Sequence, residues 1–241
     1  MINFVIPMAG AGSRFAKAGY TIPKYLIEVG GKTLLEYSLQ SLPLDLAKRV
    51  FFVALEDHVD QFNLQENVRR ILGDVAFTIV TVPGITRGQA ETVLACGEMI
   101  NNDEELAIFN IDTHYVSSTQ RELLLDANKK CDGVIGACLA DGDKWSFAAL
   151  NEEGFVVRTS EKVRISNYAL TGFYHFSKGR DFVSVAHKAV ESDDRAANEF
   201  YVAPLYNSLI KQGRRYVLDK VDTFIPLGTP EDIDAARSIL L

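Results

Sequence analysis

Three groups of residues in this chain could do chemistry on a phosphate. The first is Gly10-Ala11-Gly12-Ser13-Arg14, just behind the apolar run Asn3–Pro7. Two glycines and an alanine let the backbone approach a ligand and turn N–H groups toward an anion. Arg14 adds a guanidinium able to hold two phosphate oxygens at once. The same glycines would also serve a tight strand-to-helix turn with no ligand. The second is Lys24, fixed just after Pro23, which would add a point charge beside the glycine loop. Taken alone, it reads as a solvated surface lysine. The third is Asp112, in Phe109-Asn110-Ile111-Asp112-Thr113 at the end of another apolar run. A carboxylate at the carboxyl end of a strand in an open α/β sheet stands where ligands gather, and it suits Mg²⁺. It also reads as a turn or helix cap. Two better-known glycine motifs fail here. The dinucleotide fingerprint needs a glycine where Phe15 stands, and Gly31-Lys32-Thr33 lacks the earlier glycine of a P-loop, having Leu26.

The elements that must position these residues alternate through the first half. Strands are expected at Asn3–Pro7, Arg49–Ala54, Val75–Val82, Leu106–Ile111 and Gly133–Leu139. Helices are expected between them at Lys32–Leu42, His58–Leu72, Gly88–Ile100 and Ser117–Lys130. Continuous apolar strands joined by helical segments imply βαβ units and a parallel sheet buried on both faces. Three strands then follow without helices, at Trp145–Leu150, Phe155–Thr159 and Ala169–Phe176, with Asn151–Gly154 as a turn. Helices return at Arg180–Glu191 and Asn198–Gln212, then strands at Arg215–Lys220 and Thr223–Leu227. A last helix starts at Thr229-Pro230-Glu231-Asp232, with a capping Thr and acids at the positive end of the dipole. The expectation is a three-layer α/β fold, mostly parallel and Rossmann-like, with an inserted antiparallel portion. Residues 1–241 read as one domain, 1–140 for nucleotide and 141–241 for acceptor and the return to the sheet.

Composition narrows the function. The 241 residues are 47% hydrophobic and carry 25 Lys+Arg against 32 Asp+Glu, a net charge of −7. Partners that need a basic surface, nucleic acid and anionic membrane, are therefore not expected. The longest purely apolar run, Val50–Leu55, is far short of the ~20 residues that span a bilayer. No basic n-region marks a signal peptide. Cys96, Cys131 and Cys138 form no CxxC pair, which fits free thiols in a cytoplasmic protein.

The two separated blocks, GxGxRF and PKxLxxVxGKxxLEY, together resemble the sugar-phosphate nucleotidyltransferases, the pyrophosphorylases and their cytidylyltransferase relatives. The resemblance implies transfer of a nucleotidyl group from an NTP to a phosphorylated acceptor, a sugar-1-phosphate by default, with release of pyrophosphate. It implies Mg²⁺ as cofactor, held by Asp112. Met8, Ala9, Gly10, Gly12, Arg14, Lys24 and Gly88 would bind nucleotide, with Arg14, Lys24 and Asp112 catalytic. Ala148, Glu161, Lys162, Thr171 and Gly172 would bind acceptor, and Asn198-Glu199-Phe200-Tyr201 would start a helix behind the site. The chain departs from the pattern at three places: Pro83 replaces a base-reading glutamine, Ala148 a glycine, and Pro226 the second metal aspartate in the Gly-Thr-Pro-Glu frame. Four strand residues separate Asp222 from that position, so it does not simply substitute. Three alternatives stay open: a cytidylyltransferase for a small non-sugar phosphate, a GT-A-type glycosyltransferase using Asp141-Gly142-Asp143, and a non-catalytic nucleotide-sugar-binding relative. A homo-oligomer is compatible with the sequence. Arg14, Lys24 and Lys162 are expected to converge on one cleft.

Overall fold

The computed structural model describes residues 1–126 and 131–240. Strand β1 (Ile2–Pro7) leads through α1 (Ser13–Lys17) to a small hairpin, β2 (Glu28–Val29) and β3 (Lys32–Thr33), and to α2 (Leu34–Gln40). Next come β4 (Ala47–Leu55), α3 (Glu56–Gln61), α4 (Leu64–Leu72), β5 (Phe77–Val82), α5 (Gln89–Leu94), β6 (Glu105–Phe109) and β7 (Thr113–Val116). Then follow α6 (Gln120–Leu125), β8 (Gly133–Leu139), β9 (Ser146–Leu150), β10 (Val156–Glu161) and β11 (Tyr168–Phe176). The chain closes with α7 (Gly179–Glu191), α8 (Tyr206–Lys211), β12 (Tyr216–Lys220), β13 (Thr223–Pro226) and α9 (Pro230–Leu240).

The sheet runs β10-β9-β11-β6-β1-β4-β5, with β8 paired to β11 and β12 to β8. Strands β5, β4, β1 and β6 are mutually parallel, and β11 joins β6 antiparallel. From β1 the chain goes first to one side, through β4 and β5, and then to the other, at β6. The switch point therefore lies between β1 and β6, where open α/β sheets bind ligands.

Alternation along the strands divides the core into two faces. Phe4, Ile6, Phe52 and Phe109 meet Leu35 and Leu39 of α2 and Leu64 and Val68 of α4 on one face. Val5, Phe51, Val53 and Ile108 meet Val93 of α5 and Phe182 and Ala186 of α7 on the other. The result is the expected three-layer, mostly parallel α/β architecture. Each large side chain so buried contributes roughly 1.5–3 kcal/mol, so the strands carrying the site residues have firm roots.

Local structure differs from expectation where a few backbone angles intervene. The helix expected from Lys32 begins at Leu34. Thr33 is its cap, accepting from Glu36 N while the Glu36 carboxylate accepts from Thr33 N, and Gly30-Gly31 turns the β2–β3 hairpin instead. The helix His58–Leu72 is two helices, broken at Asn63, whose φ is 47°. Gly88–Ile100 is helical only over Gln89–Leu94, with a 3-10 turn at Gly97–Met99. Asn198–Tyr201 is not helical: Ala197 and Asn198 take φ of 47° and 69°, and helix begins beyond them. The end of the helix expected over Ser117–Lys130 lies outside the described residues. Among the described residues no helix is long and apolar enough to cross a membrane.

Candidate active site

The glycine loop leaves the carboxyl end of β1. Met8 still belongs to the sheet, its N–H donating to Val53 O at 2.7 Å, and both Met8 and Ala9 turn their side chains into the core. That leaves the backbone of residues 10–12 open. Gly12, in the left-handed region at φ 57°, caps α1, which carries the exposed Arg14. Lys24 starts a 3-10 turn behind Pro23 and is anchored by the buried Tyr25 beside it. A Cβ on Gly12 would stand 4.0 Å from Lys24 Cβ, so loop and lysine are neighbours.

Lys24 Nζ donates to Asp112 Oδ2 at 2.8 Å, with the two side chains 23% and 20% exposed. Burial pushes the Asp112 carboxyl up, but the Lys24 charge, its hydrogen bond and the Arg14 charge outweigh that and hold it below the usual carboxylate range. Arg14 also lowers Glu231 at the start of α9. Arg14 therefore stands within electrostatic reach of both, and no side-chain ion pair engages it among the described residues. Asp112 is placed from two ends of the chain: β6 precedes it, and Leu227 N donates to its carbonyl at 2.9 Å. Pro226 sits next to that bond, paired with Thr113 across the β7–β13 ladder. Asp222 lies at the far end of the same ladder, where its carboxylate accepts from Ser118 N. Among the described residues no group of three or more His, Cys, Asp or Glu gathers as a metal cage.

On the acceptor side, Glu161 ends β10 and accepts from Ser146 Oγ. Burial raises its carboxyl above the usual range. Lys162 follows at φ 53°, a strained conformation for a residue with a side chain, its N–H bonded to Trp145 O at 2.9 Å. Tyr174 of β11 links the halves: burial raises its phenol, and the charges of Glu161 and Asp112 add to that effect. Tyr174 thus stands within electrostatic reach of both Asp112 and Glu161, the neighbour of Lys162. Gly172, at φ 90°, lies against Asn110, and a Cβ there would overlap the Asn110 amide. Asn110 Oδ1 in turn accepts from Gln89 Nε2, the residue after Gly88.

Two expected acceptor residues do not present their side chains. Thr171 is buried, its hydroxyl packed where a Cβ on Gly136 would fall. Ala148 lies wholly in the core, and Ser166 Oγ bonds its carbonyl. Asp141-Gly142-Asp143 forms an exposed bend in which the Asp141 carboxylate faces Arg164 at 3.6 Å. The Gln89–Asn110 hydrogen bond and the bond between Lys162 and Tyr201 escaped the sequence reading, which placed Tyr201 only behind the site.

A MobA-like NTP transferase domain model matches residues 4–163. The crystal structure of a nucleoside-diphosphate-sugar pyrophosphorylase from Vibrio cholerae superposes with a TM-score of 0.84 at 33% identity, covering 98% of this chain and 99% of that one. A UTP–glucose-1-phosphate uridylyltransferase from Haloferax volcanii is 25% identical over 98% of this chain and 95% of its own. An inositol-1-phosphate CTP transferase from T. maritima has a TM-score of 0.75 at 18% identity, over 96% and 90% of the two chains, a likeness of fold alone. The chain belongs to the MobA-like NTP transferase domain family and is an enzyme of the sugar-phosphate nucleotidyltransferase class, transferring a nucleotidyl group from an NTP to a phosphorylated acceptor.

Proposed function

We propose that this enzyme activates a sugar-1-phosphate. An oxygen of the acceptor phosphate attacks the α-phosphorus of the NTP, the α–β bridging bond breaks, and pyrophosphate leaves. The nucleophile is already an anion, so no general base is required. The protein's task is to hold two anions that repel each other and to offset charge as it moves.

The open backbone of residues 10–12 would face the triphosphate, with Arg14 on the departing β- and γ-phosphates. Lys24 would bridge the α-phosphate and the incoming oxygen. Gly88 would meet the base edge. Lys162 would hold the acceptor phosphate, and Glu161 would accept from acceptor hydroxyls. Residues 1–140 would then serve mainly the nucleotide and 141–241 the acceptor, in a cytoplasmic enzyme.

The residues present fit Mg²⁺. Asp112 offers an ionised, partly exposed carboxylate, and this ion commonly takes one or two carboxylates and completes its shell with phosphates and water. When bound, it would polarise the α-phosphate.

The observation that carries this reading is the Lys24–Asp112 contact beside the glycine loop, at the switch point of the sheet. Its test is a matrix of dTTP, UTP, CTP and GTP against phosphorylated acceptors, read by pyrophosphate release. Sugar-1-phosphates are expected to support turnover with one preferred base. Turnover confined to small non-sugar phosphates would overturn the choice of acceptor.

A further inference from the structure

Residues 196–201 form a strap between the Gly88 loop and Lys162. Ala196 and Glu199 exchange both backbone hydrogen bonds, at 3.1 and 3.0 Å, around Ala197 and Asn198 in the left-handed region. Ala197, with a Cβ and no side-chain hydrogen bond to offset it, takes that conformation at a cost, and such strain is kept where a geometry must be held. The turn delivers Phe200 and Tyr201 to two different places.

Phe200 is clamped to the loop that carries Gly88. Its N–H donates to Arg87 O at 3.0 Å, and its carbonyl accepts from Ala90 N at 2.8 Å. The approach is so close that a Cβ on Gly88 would overlap the Phe200 backbone. The Phe200 ring lies 5.1 Å from the guanidiniums of both Arg87 and Arg195. The next residue, Tyr201, accepts from Lys162 Nζ at 2.9 Å through its hydroxyl, and the ammonium stands 5.1 Å from its ring. This hydrogen bond raises the Lys162 ammonium above its ordinary range. Behind the strap is a cavity of about 400 Å³, lined by Val185, Ala189, Phe200, Tyr201 and Ser208 among others.

We propose that Tyr201 is the positioning residue for Lys162, and that the Phe200-Tyr201 step couples the nucleotide and acceptor sites. A displacement of the Gly88 turn moves Phe200, and with it the phenol that aims the lysine. The substrate half of this inference rests on the reading of Lys162 as an acceptor ligand. Coupling of this kind is reciprocal, so whichever effect nucleotide has on acceptor binding, acceptor has on nucleotide binding.

The experiment is competitive acetylation of the full chain without substrates, with each lysine followed by mass spectrometry. Tyr201→Phe keeps the ring and removes one hydrogen bond to a charged group. Lys162 is expected to label roughly three- to tenfold faster, with remote lysines such as Lys32 and Lys48 unchanged. Gly88→Ala, which pushes the strap, is expected to speed Lys162 in the wild-type background and to add nothing in Tyr201→Phe. Phe200→Leu serves the same purpose should Gly88→Ala not fold. An unchanged Lys162 rate in Tyr201→Phe, or an equal effect of the strap variant in both backgrounds, overturns the proposal. Pyrophosphate release by Lys162→Ala separates the two readings. Wild-type turnover there, with labelling as expected, overturns the acceptor role of Lys162 and leaves the strap's grip on the lysine standing.

Discussion

Lys24 and Asp112 meet at 2.8 Å although one lies in the loop behind β1 and the other behind β6. The pair closes the switch point of the sheet from both sides. Each member is less than a quarter exposed, so the contact is desolvated enough to matter yet open to phosphate.

Removing one partner leaves the other without its counter-charge. Asp112→Asn is expected to lower stability by about 1–2 kcal/mol, read by urea unfolding at pH 7, and to suppress turnover. The Asp112 carboxyl is held low in the folded state, so its contribution is complete above the unfolded value of about 3.9. It is lost as the pH falls through the folded value. The two proteins should converge in melting temperature only in acid. A constant difference down to pH 3 would assign the effect to packing.

Arg14→Ala should behave differently. The side chain is exposed and no ion pair engages it among the described residues, so the melting temperature should be unchanged. Turnover should fall by roughly 10²–10³, the usual effect of deleting one donor to a developing charge. Steady-state pyrophosphate release checks it, and wild-type rates would remove Arg14 from the site.

Glu161 runs opposite to Asp112. Burial raises its carboxyl, so ionisation near neutrality costs folded-state stability, and the cost grows as pH rises from the unfolded value through the folded one. Glu161→Gln is expected to melt higher than wild type at pH 7 while raising the acceptor KM. The advantage should vanish on acidification. A lower melting temperature at pH 7 would mean that the Ser146 hydrogen bond outweighs the burial of the charge.

Pro226 stands one residue from the hydrogen bond that fixes Asp112. Pro226→Asp would bring a second carboxylate to the same end of the β7–β13 ladder. Cation affinity rises with ligand charge count. Mn²⁺ binding, followed by electron paramagnetic resonance, should tighten by roughly tenfold. Unchanged binding would show that position 226 does not face the ion.

Much of this was legible because the parallel strands are apolar on both sides and their helices carry ordinary start signals. Thr229-Pro230-Glu231-Asp232 was such a signal, whereas the capping box at Thr33-x-x-Glu36 went unread, and it explains why α2 starts two residues late. What was hidden lies in backbone angles and distant pairings. Asn63, Ala197 and Asn198 turn the chain left-handed with no glycine or proline to announce it. The short strand β7 exists because β13 pairs with it from the far end of the sequence. The bond between Lys162 and Tyr201 depends on the same long reach. Pattern in a window of a dozen residues carries none of this.

The hydrogen bond from Leu227 to the Asp112 carbonyl also sets a timetable. During synthesis the glycine loop, Lys24 and Asp112 all emerge long before the strand that completes their geometry. A nascent chain halted before residue 223 would already contain the glycine loop, Lys24 and Asp112 but not β13, which braces Asp112. The geometry around Asp112 is therefore completed only after a strand made well after Asp112 itself has joined β7.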